Sequence, residues 1–456
     1  MKWELLQQVT LLDYSGGSIS PRVVDVLLQQ LPKGEEWRVE SGEWGSGERS
    51  SPLPLTPNPL PLAPKVSWYL EQISPQLEDI PSDTLIYDAQ GWFLGPGFVD
   101  LYSHSGEPGF EERETLGSLA QAAQAGGFSQ VHLLPNTSPP LDQPAIVSQL
   151  QQSTPERSVQ LHCWAALSQQ CQGQRMTEFA ELVAAGCAGF TDNAPVQDWT
   201  LLQRSLEYLK QFGKPIALWP AHRNFPGSGK AREGYLALQM GLPPLSPLSE
   251  TLALTGILEC VAATGTPVHL MRISTARGVD LIRQARQQGL PVTASTTWLH
   301  LLCNTTDLAT YLPALNLNPP LGNPEDQEAL IQGLEQSIID AIAVDHTPYT
   351  YEEKQVGFGE SPPGAIGLEL AVPLLWQHLV TSGRWTPAQL WTTLSLAPLQ
   401  CMKRSLPPLS PGHPVALTLF DPEQTWVVEV STLKSKSSNT AWFGQTLRGR
   451  VRKLYA

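Results

Sequence analysis

The chain has 456 residues, of which 41% are hydrophobic and 16% charged, and carries a formal net charge of −14. That length exceeds one small core, and the acidity argues against a nucleic acid or an anionic membrane surface as the main partner. No stretch approaches the roughly 18 consecutive apolar residues that span a bilayer, so no membrane segment is expected. The first residues, "MKWELLQQVTLLD", alternate polar and apolar and lack the apolar core of a signal peptide. Six cysteines (Cys163, Cys171, Cys187, Cys260, Cys303 and Cys401) are scattered without a CxxC pair and read as free thiols in a reducing compartment. A cytoplasmic protein is expected.

Residues 1–29 read as strands and turns, with "GGS" as a turn. The stretch 31–65, "LPKGEEWRVESGEWGSGERSSPLPLTPNPLPLAPK", is rich in Pro, Gly, Ser and Glu, has no period, and reads as an insertion or flexible loop. From about residue 97 short apolar runs alternate with longer amphipathic ones. The predicted strands are 97–103, 129–135, 159–165, 188–192, 215–219, 267–273, 291–296 and 339–345. Helices are predicted over 112–125, 143–153, 176–185, 197–212, 248–264, 276–288, 325–336 and 366–382, the first closed by Gly126-Gly127 and the sixth capped by Ser274-Thr275. Eight strand–helix units in series imply a parallel sheet. A (β/α)8 TIM barrel over 96–407 is the leading architecture, and a doubly wound open sheet the alternative. The tail returns to short β runs, so 1–95 and 408–456 are expected to form one small β domain around the barrel.

Barrel chemistry sits at the C-terminal ends of the strands. There the sequence places Asp100, Tyr102 and His104 on strand 1, Asn136 after strand 2, Asp192 on strand 4, Trp219 and His222 at strand 5, His269 and Arg272 on strand 6, His300 after strand 7, and Asp345 and His346 on strand 8. His132, His162, His378 and His413 lie off this ring and read as core or surface histidines.

Over residues 85–456 the chain resembles a dihydroorotase of the cyclic amidohydrolase family. The stretches that carry the likeness include "GPGFVDLYSHSGEPGFEERET", "AGGFSQVHLLPNTSPPLD", "GFTDNAPVQD", "HLMRISTARGVDLIRQARQQGLPVTA", "NPPLGNPEDQEALIQGL", "IDAIAVDHTPYTYEEK" and "SKSSNTAWFGQTLRGRV". The resemblance implies hydrolysis or closure of a cyclic amide in pyrimidine biosynthesis, with zinc held by histidines and carboxylates that generates hydroxide and polarises the carbonyl. Residue by residue, the family's Asp-x-His-x-His on strand 1 keeps only His104, with Tyr102 in the first histidine's place. Asp192 matches the bridging carboxylate of strand 4. Trp219 and Arg272 replace the histidines of strands 5 and 6, and His269 is kept. Asp345 matches the aspartate of strand 8 that moves the proton, and Asn136 a substrate-binding position. Arginines expected near the substrate are Gly106 and Gly322, and a later histidine is Tyr349.

Three of six implied metal positions therefore remain: His104, Asp192 and Asp345. Tryptophan cannot ligate zinc, and arginine keeps its proton and brings a positive charge. Asp100, Asp192 and Asp345 are expected to converge at the mouth with Arg272 as their fixed counter-cation in place of metal. The leading reading is a dihydroorotase-like protein without metal-dependent hydrolysis and without a cofactor. It would act as a structural partner of aspartate carbamoyltransferase within an oligomer. The alternatives are an active dihydroorotase or related cyclic amidohydrolase on a reduced zinc site, with His222 or His300 as candidate replacement ligands, and a small-molecule binding protein using the emptied pocket.

Overall fold

A computed structural model describes residues 2–14, 18–32, 66–78, 80–153, 159–222 and 229–456. Strands from both ends of the chain form one sheet. Lys2–Asp13, Ser20–Pro32 and Val66–Ser74 make an antiparallel meander, extended at one edge by Pro414–Val415. On the other side of Lys2–Asp13, Leu85–Asp88 and Phe93–Pro96 pair in parallel. Phe93–Pro96 then pairs with Leu417–Val427, which pairs with Thr446–Tyr455. Gly16 and Gly17 of the expected "GGS" turn lie outside the described residues. So does the Pro/Gly-rich stretch 31–65, apart from Leu31 and Pro32 at the end of their strand.

The eight barrel strands are β1 (Phe98–Ser103), β2 (Phe128–Leu133), β3 (Gln160–Ala165), β4 (Gly189–Phe190), β5 (Ala217–Leu218), β6 (Val268–Leu270), β7 (Val292–Thr297) and β8 (Ala341–Ala343). They pair in parallel as β1–β2–β3–β4 and β5–β6–β7–β8. A parallel bridge from Phe190 to Ile216 joins the two sets. On the opposite side Asp345 N–H donates to the Tyr102 carbonyl (3.1 Å) and His104 N–H to the His346 carbonyl (2.8 Å). The ring therefore closes, giving the (β/α)8 barrel and removing the open-sheet alternative. Small alanines at 217, 341 and 343 leave room inside it for the Tyr102 and Trp164 rings.

The outer helices are α1 (Leu116–Ala125), α2 (Pro144–Ser153), α3 (Phe179–Ala184), α4 (Trp199–Leu209), α5 (Leu248–Thr264), α6 (Ala276–Gln287), α7 (Pro324–Glu335) and α8 (Ala371–Leu375), the last running on as a π turn over Trp376–Val380. Three start three or more residues later than the sequence pattern suggests, each for a local reason. Thr115 caps α1, its hydroxyl accepting from Ser118 N–H (3.1 Å). Thr177 is tied to the Ala166 and Leu167 carbonyls ahead of α3. The Ile366 and Gly367 amides are committed to the Asn439 carbonyl and to His346 Nδ1. Thr275 caps α6 as expected, accepting from Gly278 N–H. Four of the six cysteines are buried, Cys171 and Cys260 are half-buried, and all six are free. Among the described residues no helix is long and apolar enough to cross a membrane.

Candidate functional site

The seam between β1 and β8 is held by side chains as well as backbone. Asp100 is fully buried; its Oδ1 accepts from Val344 N–H (2.7 Å) and its Oδ2 from the Ser103 hydroxyl (2.5 Å). Burial pushes its pKa up to about 7, against the pull of those two hydrogen bonds. Asp100 is thus a clamp beneath the mouth. Two residues on, the buried Tyr102 hydroxyl accepts from Arg272 N–H (3.1 Å) and lies 3.0 Å from Ser295 Oγ. From Ser295 the chain of hydrogen bonds passes to His269 Nε2 (2.8 Å) and from its Nδ1 to Thr293 Oγ1 (2.9 Å). Burial drives His269 down to about 3, which keeps it a neutral member of this chain.

Above it stands Arg272. Its Nε and Nη2 fork onto Asp345 (2.7 and 2.6 Å), and its Nη1 donates to the Asn193 carboxamide oxygen. The guanidinium lies 5.3 Å from the Trp219 ring centroid and 5.4 Å from that of Tyr102, within range of cation–π attraction. Burial opposes its charge, but the Asp345 carboxylate more than offsets this and holds Arg272 protonated above its ordinary value. Asn193, Arg272 and Asp345 all adopt left-handed backbone, with φ of 49°, 53° and 54°. Each such residue costs about 1–3 kcal/mol unless its surroundings enforce it. Here the three strained strand ends of β4, β6 and β8 meet on one guanidinium.

The carboxylates expected at the mouth do not converge. Asp192 turns back into its own loop, accepting from Ser168 N–H (2.8 Å) and the Ser168 hydroxyl (2.6 Å). Its neighbour Asn193 faces Arg272 instead, a contact that one step along "TDN" would have found. Asn136 is exposed, and its amide donates to the Asp192 carbonyl (3.1 Å). His222 forms a backbone bridge with Val196. A cavity of about 210 Å³ opens beside Arg272, lined among others by His104, Asn193, His300, Asp345 and Tyr349; Asn136 and Asp192 are not part of its wall. His104 is half-buried in the wall of this space, and burial pushes its pKa down to about 4. His300 rides on the helical turn Trp298–Leu302, which the periodicity did not reveal. Its Nδ1 lies 2.7 Å from the Thr297 hydroxyl, and among the described residues its buried Nε2 makes no well-formed hydrogen bond.

The places of the two absent arginines are closed. A Cβ on Gly106 would lie 2.2 Å from the Glu114 carbonyl and 2.4 Å from that of Phe110. One on Gly322 would meet the Asp326 Cβ at 2.6 Å. Only glycine fits either loop. Arg113 reaches the region by another route, forking onto Glu353 (3.0 and 3.1 Å from Nε) and stacking between Phe110 and Tyr349.

These residues do not fit zinc. A catalytic site needs three protein ligands and an open position. Of the three candidates, Asp192 is bound to Ser168 and Asp345 to Arg272, leaving His104 alone. Among the described residues no three His, Cys, Asp or Glu side chains converge as a metal-holding group. Arg272 instead brings its own cation to the ends of β4, β6 and β8.

Comparison with known proteins places this geometry in context. Residues 91–207 match the family model described as dihydro-orotase-like. A "probable dihydroorotase-like protein" of Synechocystis sp. is 46% identical over 402 residues, covering 82% of this chain and 90% of that protein. A dihydroorotase of Pelotomaculum thermopropionicum is 33% identical over 365 residues, covering 80% and 86%. Among solved structures, the L-hydantoinase (dihydropyrimidinase) of Arthrobacter aurescens superposes with a TM-score of 0.77, covering 99% of this chain and 94% of that one at 19% identity.

Proposed function

The chain belongs to the dihydroorotase-like family, and on that premise we propose that it is a cytoplasmic protein of pyrimidine biosynthesis that does not hydrolyse cyclic amides and serves as a structural partner of aspartate carbamoyltransferase. One observation carries this reading: the Arg272 guanidinium is forked onto Asp345, the residue that would have to move a proton. A carboxylate whose two oxygens are both taken by a guanidinium is not presented to a substrate proton. The two residual carboxylates are thus already engaged, while the barrel and its outer helices remain available as a surface.

A second reading, a working amidohydrolase on a reduced metal set, draws on His104, which lines the cavity and whose ring has no hydrogen bond among the described residues. It requires Asp345 to leave Arg272. Metal analysis of freshly purified protein, with a dihydroorotate hydrolysis assay on the same sample with and without added zinc, separates the two. The expected result is substoichiometric metal, no turnover, and co-purification with aspartate carbamoyltransferase from its own cells. Stoichiometric zinc with turnover would overturn the proposal.

A further inference from the structure

We propose that the cavity beside Arg272 binds a small uncharged molecule carrying amide-like donors and acceptors, and that it rejects anions. This rests on the non-hydrolytic reading above and adds a ligand class to it.

Consider first the charges. Arg272 and Asp345 both line the cavity, but they neutralise each other through a fork of 2.7 and 2.6 Å. Arg113, stacked on the Tyr349 ring, is likewise paired with Glu353. Lys354, behind the same ring, donates to the Pro313 and Pro362 carbonyls (3.1 and 2.6 Å). Gly106 and Gly322 admit no side chain that could reach in. Among the described residues that line this space, a carboxylate would give up its water and meet no unpaired cation, which is costly in a shielded site.

Consider next the unused hydrogen-bonding groups. His300, only 3% exposed, forms part of the cavity wall. His104, Asn193 and Tyr349 line the same space, and among the described residues the His104 ring, the Asn193 amide nitrogen and the Tyr349 hydroxyl have no side-chain partner. The carboxamide oxygen of Asn193 is taken by Arg272, which leaves the N–H group as its remaining donor. A set with an amide donor, a hydroxyl and two imidazoles complements a molecule that offers N–H and C=O side by side. Sites of this kind reject analogues that leave such groups unpaired.

The test is calorimetric titration of the full chain with dihydrouracil and with dihydroorotate, which share a ring and differ by one carboxylate. Dihydrouracil is expected to bind at least about tenfold more tightly. Asp345→Asn frees the guanidinium, so this variant should gain dihydroorotate binding and reverse the preference. Tyr349→Phe, which leaves the ion pair intact, should weaken dihydrouracil binding severalfold without altering the unfolding transition. Equal or tighter binding of dihydroorotate by the unaltered protein overturns the proposal, as does binding of neither compound. The second outcome leaves the structural-partner reading standing, whereas hydrolysis of either compound overturns that reading itself.

Discussion

Two buried arginines in this barrel have opposite surroundings. Arg272 is 4% exposed and donates through Nε, Nη1 and Nη2 to Asp345 and Asn193. Arg232, in the short strand Ala231–Arg232 between β5 and α5, is 1% exposed and donates through Nη2 alone, to the Ser274 hydroxyl (2.7 Å). Among the described residues its Nε and Nη1 have no partner. The nearby Glu250 is saturated by the amides and hydroxyls of Ser274 and Thr275. Burial lowers the pKa of Arg232, with Glu250 and Asp326 only partly opposing it. Burial alone thus does not make a guanidinium a structural cation. The hydrogen-bonded carboxylate does, and at Arg272 it sits where the family resemblance calls for a metal.

The contrast can be broken most directly at Arg272. Arg272→Met leaves Asp345 with an uncompensated charge and should cost about 3–5 kcal/mol in urea unfolding. The double change Arg272→Met with Asp345→Leu should recover most of that loss, because a well-packed apolar pair removes the desolvation cost of both charges. If the double variant is no better than the single one, the ion pair is not what organises the strand ends.

A middle-sized effect is expected at Asp100, the carboxyl that lies beneath the pair without sharing it. Its pKa is lifted from 3.8 to about 7, so between those values the folded protein holds a proton that the unfolded chain has released. Stability therefore falls as pH rises through that window. Asp100→Asn keeps the acceptor for Val344 N–H and removes the titration. Relative to the unaltered protein, the variant should gain about 1–3 kcal/mol between about pH 4.5 and about pH 7.5 in urea unfolding. A difference that stays flat across that range would place the charge of Asp100 elsewhere.

The smallest effect belongs to Arg232. Since two of its three nitrogens already lack partners, Arg232→Met should change stability by about 1 kcal/mol or less. Equal costs at Arg232 and Arg272 in the same unfolding assay would erase the distinction between them.

What the sequence determined by itself is the alternation of strands and helices and the residue types at the strand ends. Periodicity is local, and so is the chemistry of a side chain: Trp219 cannot ligate a metal and Arg272 cannot lose its proton, wherever the backbone carries them. The Thr275 cap of α6 was legible for the same reason. The tertiary structure decided the rest. Asp192 and Asn193 are adjacent in the chain, yet left-handed backbone at Asn193 directs only the second to the guanidinium. Arg272 meets Asp345 across 73 positions of sequence, and Asp100 meets Val344 across 244. His300 belongs to the cavity because the Trp298–Leu302 turn brings it there. Glycine at 106 and 322 is explained only by backbone that folds against it. Such choices follow from loops and strand ends brought together by barrel closure, and no window of neighbouring residues contains them.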